Sequence, residues 1–254
     1  MSYSDIVNYW KSCDRSTADK LNMILDNYKI LFAYHSNSIE GCDLSYHQTR
    51  EIFENGKVIN YTGDTRNIFE AANQKQSYYW LLEKIIRKDP VTPEFIKELH
   101  GILNNGCYDE RRWNIGERPG TYKIHDYCVG DSVGSPPEEV DADIKSLCDE
   151  INNINNNEEK ILLAATYFHC MFESIHAFAD GNGRTGRTLM NYYLMINDMP
   201  PCIIFDEDKQ MYYMGLTVFD KTGEIEGLKK FIMEETEKTW SRRNIPIVTA
   251  DKNK

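Results

Sequence analysis

The sequence predicts one predominantly α-helical domain with a single short β-hairpin. Three observations carry that reading. Apolar residues recur at steps of three and four along most of the chain. Helix-start signals stand in front of several of these runs. Strand-like alternation is confined to one glycine-rich stretch, residues 106–134, around "TYKIHDYCVG".

Taken in order, the first helix is expected over 16 to about 38, with Ser16 and Asp19 at capping-box spacing. Leu21, Leu25, Tyr28, Phe32 and His35 fall on one face of it, and Gly41 is a natural stop. A short helix follows over 45–55 and a longer one over 65–87. Thr92-Pro93 places proline at a first helical position, opening a helix that ends near Asn105. Ser135-Pro136 repeats the signal for a helix running to about 152. "NNINNN", 152–157, reads as a loop. "EEKILLAATYFHCMFESIHAF" is apolar almost all round, the mark of a helix buried in the middle of a domain. Further helices are expected over 184–197, 208–220 and 223–242. The organisation expected is N-terminal helices over 1–43, a main core over 44–242 and a flexible tail over 243–254.

Composition narrows the function. The chain of 254 residues has 40 acids against 29 bases, a formal charge of -11. That argues against a broad nucleic-acid or membrane-surface binder. No apolar run reaches membrane-spanning length, and the N-terminus lacks the charge and apolar order of a signal peptide. The 7 cysteines are scattered without a CxxC pair, so a zinc site is not expected. Reduced thiols in the cytoplasm are the expectation.

Chemistry concentrates in "HAFADGNGRTGR", residues 176–187. Gly181 and Gly183 flank Asn182 just before a helix begins, so unpaired amides and a positive dipole end face the turn. Arg184 and Arg187 share a face of the first turn and add charge there. Such a site suits a large polyphosphate. Asp180 then makes sense as a ligand of Mg2+ bridging phosphates, and His176 as the group able to accept a proton. His169, two turns earlier, reads as structural. Gly181, Gly183 and Gly186 also satisfy G-x-G-x-x-G, but a long apolar helix precedes them where a dinucleotide fold needs a strand. A Walker loop lacks its Lys-Ser/Thr pair.

The twelve residues fill every fixed position of H-x-F-x-[D/E]-G-N-G-R-x-x-R and so resemble the Fic motif. The similarity continues through "SPPEEV", "PPCII" and "MYYMGL", over roughly residues 30–240. The resemblance implies an all-α Fic-type domain with a β-hairpin flap, and a protein adenylyltransferase moving AMP from ATP to Tyr, Thr or Ser hydroxyls of a protein target, the chain itself included. It implies His176 as general base, Phe178 as core anchor and Asp180 as Mg2+ ligand. Asn182, with the amides of Gly181 and Gly183, would cradle phosphates. Arg184 would bind phosphates as well, and Arg187 the γ-phosphate. Doc-like kinases carry lysine at the position of Gly183, so AMP transfer is favoured. Ala177 stands where many members have proline. Lys123 and Tyr127 fall in the flap that docks the target, and Tyr213 and Asp220 align with the adenine pocket. "SNSIEG", 36–41, matches the inhibitory motif [S/T]-x-x-x-E-[G/N]. Glu40 would pair with Arg187 and Ser36 would support that glutamate. Alternatives left open are AMP removal, transfer of another nucleotide, or a nucleotide-binding regulator without turnover. Homo-oligomerisation is compatible with the sequence. The DNA-binding domain that some relatives carry is not expected in the residues after 242.

Overall fold

The computed structural model describes residues 1–129, 132–154 and 158–241. The expected flexible tail, the tip of the hairpin and part of the asparagine loop lie outside these. Twelve α-helices and one hairpin form the described chain: α1 (Tyr3–Ser12), α2 (Ala18–Ile24), α3 (Asp26–Ile39), α4 (Tyr46–Asn55), α5 (Thr65–Arg87), α6 (Pro93–Leu103), α7 (Glu110–Asn114), β1 (Cys128–Val129), β2 (Ser132–Val133), α8 (Val140–Asn152), α9 (Glu158–Ile175), α10 (Asn182–Ile196), α11 (Lys209–Thr222) and α12 (Glu226–Thr239). The all-α expectation with a minor hairpin therefore holds, and no helix among the described residues is long and apolar enough to cross a membrane.

The apolar α9 packs against α10 as the central pair, because neither helix has a polar stripe to give to solvent. Helices α8, α11 and α12 cover α9, while α3, α5 and α6 cover α10. The N-terminal helices share this core: Trp10 meets Trp240 edge-on at 5.4 Å, and Ile6, Val7, Leu21 and Leu25 are buried with it. Stacking all these layers on two helices buries their ends too, which is what confines the motif turn between them.

Local signals explain most boundaries. Pro93 sits in the first turn of α6, and the Thr92 hydroxyl accepts from the Phe95 N–H at 3.2 Å. Asp64 caps α5 through the Arg66 N–H. Four expectations need correction. The helix predicted from residue 16 starts two residues later, at Ala18: Asp14 takes the Ser16 N–H, and Thr17 is the cap. The same helix breaks at Leu25 into α2 and α3. Its apolar face survives because the Leu25 N–H still donates to Leu21 and the Lys29 N–H to Leu25, both at 3.0 Å. Ser135-Pro136 forms a turn, not a first helical turn, and α8 begins at Val140. The Ser135 N–H is spent on the Ile175 carbonyl, which ties this segment to the end of α9 first. Within the stretch read as a loop, Asp109 caps the short α7 through the Arg112 N–H at 2.8 Å. Helix α1 also forms, with a capping box between Ser2 and Asp5 that is legible in "SYSD".

Candidate active site

Helix α9 ends at Ile175, and His176 turns the chain out of it with φ of 50°. A non-glycine residue in this region stores strain on the order of 1 kcal/mol. Both legs of the hairpin hold it there: the Lys123 N–H donates to the Ala177 carbonyl at 2.9 Å, and the Ser135 N–H to Ile175 at 3.0 Å. Gly134 passes so close that an added Cβ would lie 2.6 Å from the His176 Cβ, so only glycine fits that leg. His176 Nδ1 is buried without a hydrogen-bond partner. Burial, reinforced by the Lys123 ammonium, pushes the imidazole down to about 4, so it is neutral at physiological pH. Lys123 itself is 2% exposed, with a buried Nζ, so its side chain is turned inward rather than presented on the surface. Tyr127 donates its hydroxyl to Glu117 at 3.1 Å.

After His176 the loop is clamped from inside. Phe178 is fully buried and stacks on the neutral His100 ring at 3.6 Å. The Asn182 carboxamide accepts from the Phe178 N–H at 3.0 Å and donates to the Phe178 carbonyl at 2.7 Å. The Asn182 carboxamide thereby braces the turn from inside. Gly181, at φ 78°, caps α10, which starts at Asn182, two residues before the predicted start. The first amides of α10 point out of the helix end, as the anion-site argument requires.

Asp180 lies beside that end. Its Oδ2 is 2.9 Å from Arg66 Nη2 and 3.4 Å from Arg112 Nη2, and its Oδ1 is 3.9 Å from Arg184 Nη2. Burial alone would raise this carboxyl, but Arg66, Arg184 and Arg112 outweigh it and hold it below its ordinary value. One carboxylate completed by substrate phosphates is how Mg2+ is commonly held, so the donor set fits that ion. Among the described residues no three His, Cys, Asp or Glu gather to hold a metal by themselves.

The two motif arginines diverge. Arg184 is 2% exposed and turned inward, with Nη2 donating to Asn104 at 3.0 Å and Nη1 2.9 Å from Glu70. Arg187 faces the N-terminal helices. Its Nη2 donates to Glu40 Oε1 at 2.7 Å and to the Ser36 carbonyl at 2.8 Å, and its Nε to the Ser36 hydroxyl at 3.1 Å. Ser36 therefore hydrogen-bonds beside Glu40, through the arginine that both residues hold. Glu40 is the residue just past α3, and its carboxylate lies directly over Gly183, where a Cβ would come 2.2 Å from Oε1. The Arg187 guanidinium would be lowered by burial, but Glu40 and Tyr212 keep it above its ordinary value. Behind it, His169 Nε2 lies 2.8 Å from the Tyr212 hydroxyl, in keeping with the structural role expected of that histidine. Tyr213 Oη reaches to 3.5 Å from the Ile39 carbonyl, next to Glu40. Asp220 accepts from the Ser174 hydroxyl at 2.5 Å, two residues before His176 in the chain.

Arg66, Glu70, Asn104 and Arg112 complete the site and were not picked out by sequence reasoning. The pairing of Arg66 and Glu70 at i,i+4 on α5 was visible, but such pairs mark exposed helix faces far more often than sites.

The Fic/DOC family profile matches residues 90–194. Among curated proteins, the chain is 28% identical over 244 residues to protein adenylyltransferase fic-1 of Caenorhabditis elegans, covering 95% of this chain and 46% of that protein. It is 29% identical over 219 residues to protein adenylyltransferase Fic of Drosophila persimilis, covering 84% and 41%. The chain thus spans less than half the length of these relatives. In fold it is similar to a crystal structure of a Fic-domain-containing signalling protein from Bacteroides thetaiotaomicron, with a TM-score of 0.78, 24% identity and 93% of each chain covered. A structure of C. elegans Fic-1 aligns with a TM-score of 0.77 at 25% identity, over 93% of this chain and 68% of that one.

Proposed function

Given a chain that carries a Fic domain across residues 90–194, we propose that it is a protein adenylyltransferase that uses ATP, is held nearly silent by Glu40 and modifies hydroxyls on a protein target and on itself. The observation that supports this best is the juxtaposition at one turn of a neutral imidazole, a helix N-terminus, a carboxylate and an arginine whose partner is an N-terminal glutamate.

In this reading the triphosphate lies across the first amides of α10. His176, neutral above about pH 4, accepts the proton of the target Tyr, Thr or Ser hydroxyl. The hydroxyl oxygen bonds to the α-phosphorus as the bond to the leaving pyrophosphate breaks. Mg2+, held by Asp180, would neutralise phosphate charge when bound. Rate comes from positioning and from charge stabilisation. Arg187 grips the γ-phosphate only once Glu40 lets go. The Asn182 carboxamide and Phe178 keep the turn in shape. Tyr213 and Asp220 flank the far side as adenine-side residues, and the hairpin takes the target segment as an added strand. The described cysteines Cys13, Cys42, Cys107, Cys148, Cys170 and Cys202 are free thiols, in keeping with a cytoplasmic setting.

The test is incubation of the wild-type and Glu40→Gly proteins with labelled ATP and Mg2+, followed by intact-mass measurement. An AMP adduct is expected on the Glu40→Gly protein. Its absence on that variant and on every accompanying protein would exclude AMP transfer.

A further inference from the structure

The motif supplies two arginines, yet four guanidiniums crowd its turn. Arg66 comes from the first turn of α5 and Arg112 from α7, and both converge on Asp180 Oδ2, at 2.9 Å and 3.4 Å. Arg66 Nε also lies 2.8 Å from Glu70, and Arg112 Nη1 lies 2.7 Å from Asp109. Their side chains are 32% and 26% exposed, so both open toward solvent at the mouth of the site. Arg112 Nε is buried and has no hydrogen-bond partner. Asp180 precedes Gly181, the cap of α10, so these two guanidiniums stand at the anion-binding end of the helix.

We infer that Arg66 and Arg112 are further phosphate ligands, parked on Asp180 until the nucleotide arrives and then taking the oxygens of its β- and γ-phosphates. The inference rests on the proposed AMP transfer. In the resting molecule each guanidinium near the turn has a carboxylate: Arg187 has Glu40, Arg184 has Glu70, and Arg66 and Arg112 share Asp180. Release of Glu40 frees only one of the four. A cation on Asp180 competes with the two arginines for the same carboxylate. Arg66 then keeps only Glu70, which it shares with Arg184, and Arg112 keeps only Asp109, so the Nη2 that faced Asp180 on each has no carboxylate. The nearest new anion is the polyphosphate on the amides one residue away, and the planar fork of arginine suits phosphate oxygens. When the bond between the α-phosphorus and its bridging oxygen breaks, negative charge grows on the departing pyrophosphate, where these two groups then lie. The AMP part gains no such contact.

The experiment is titration calorimetry on the Glu40→Gly protein with ATP, AMP and inorganic pyrophosphate, each with Mg2+. It is repeated after Arg66→Met and Arg112→Met, singly and together. Each substitution is expected to weaken ATP and pyrophosphate by about tenfold, the value of one charge-assisted hydrogen bond, and to leave AMP within about twofold. Arg66→Lys should recover part of the loss. Equal weakening of all three ligands, or of none, would overturn the inference. Loss of cooperative thermal melting in both single variants would do the same, since it would make the pair a brace of the fold. Failure of ATP to bind while both arginines are in place would instead bring down the AMP-transfer reading beneath it.

Discussion

Arg187 Nη2 donates to Glu40 Oε1 at 2.7 Å, joining the second turn of α10 to the end of α3 across 147 positions of sequence. The guanidinium is 2% exposed and the carboxylate 35%, so the arginine is fixed and the glutamate is the partner able to leave. Ser36 holds the arginine through its hydroxyl and its carbonyl, so the guanidinium keeps its place when Glu40 goes.

Glu40→Gly should therefore raise pyrophosphate release and self-modification by on the order of a hundredfold, the factor associated with a misplacement of about 1 Å at the reacting centre. Equal rates in the two proteins, read by a coupled pyrophosphate assay, would remove the inhibitory role of Glu40 and leave the rest of the reading standing.

His176→Ala in the Glu40→Gly background should lower transfer by roughly two to four orders of magnitude, the range for loss of a general base. ATP binding by calorimetry should stay within about threefold, since no hydrogen bond of the α10 end depends on the imidazole. Lost ATP binding would refute this division of labour.

Asn182→Ala should destabilise the fold by roughly 2–4 kcal/mol, because the buried Phe178 N–H and carbonyl both lose their partner. A thermal or urea melt reads this directly. A phosphate ligand without a bracing role would leave the melt unchanged.

Glu173 gives a pH signature. Its side chain is 16% exposed, with Oε1 4.0 Å from His169 Nδ1, and burial pushes its carboxyl up to about 8 from an ordinary 4.5. The folded protein then holds a proton that the unfolded chain releases above its ordinary value. Its contribution is fully present below that value and is lost as pH rises toward 8. Glu173→Gln removes this dependence. Relative to wild type, the variant should gain at least about 1 kcal/mol between pH 5 and pH 8 in urea melts. A difference that is flat with pH would contradict it.

The helix-rich fold and the helix–turn–helix course of residues 176–187 were legible in the sequence because both depend on near neighbours. The all-round apolar run of α9, Pro93 after Thr92 and the glycines around Asn182 each act within a few residues of themselves. One boundary error was local, since Asp14 claimed the Ser16 amide; the other was not, since the Ser135 amide went to the distant Ile175 carbonyl. What only the tertiary structure decided is which partner each polar group meets. Arg184 and Arg187 look equivalent in the sequence, yet one is locked on Glu70 and Asn104 while the other holds Ser36 and Glu40. Arg66 and Arg112 reach Asp180 from helices separated by the whole of α6. Lys123, read as a flap residue, has its side chain buried at 2% exposure. The physical reason is range. A helix is chosen by hydrogen bonds over four residues, whereas a buried charge must find its counter-charge wherever packing brings one, and no periodicity in the chain records that meeting.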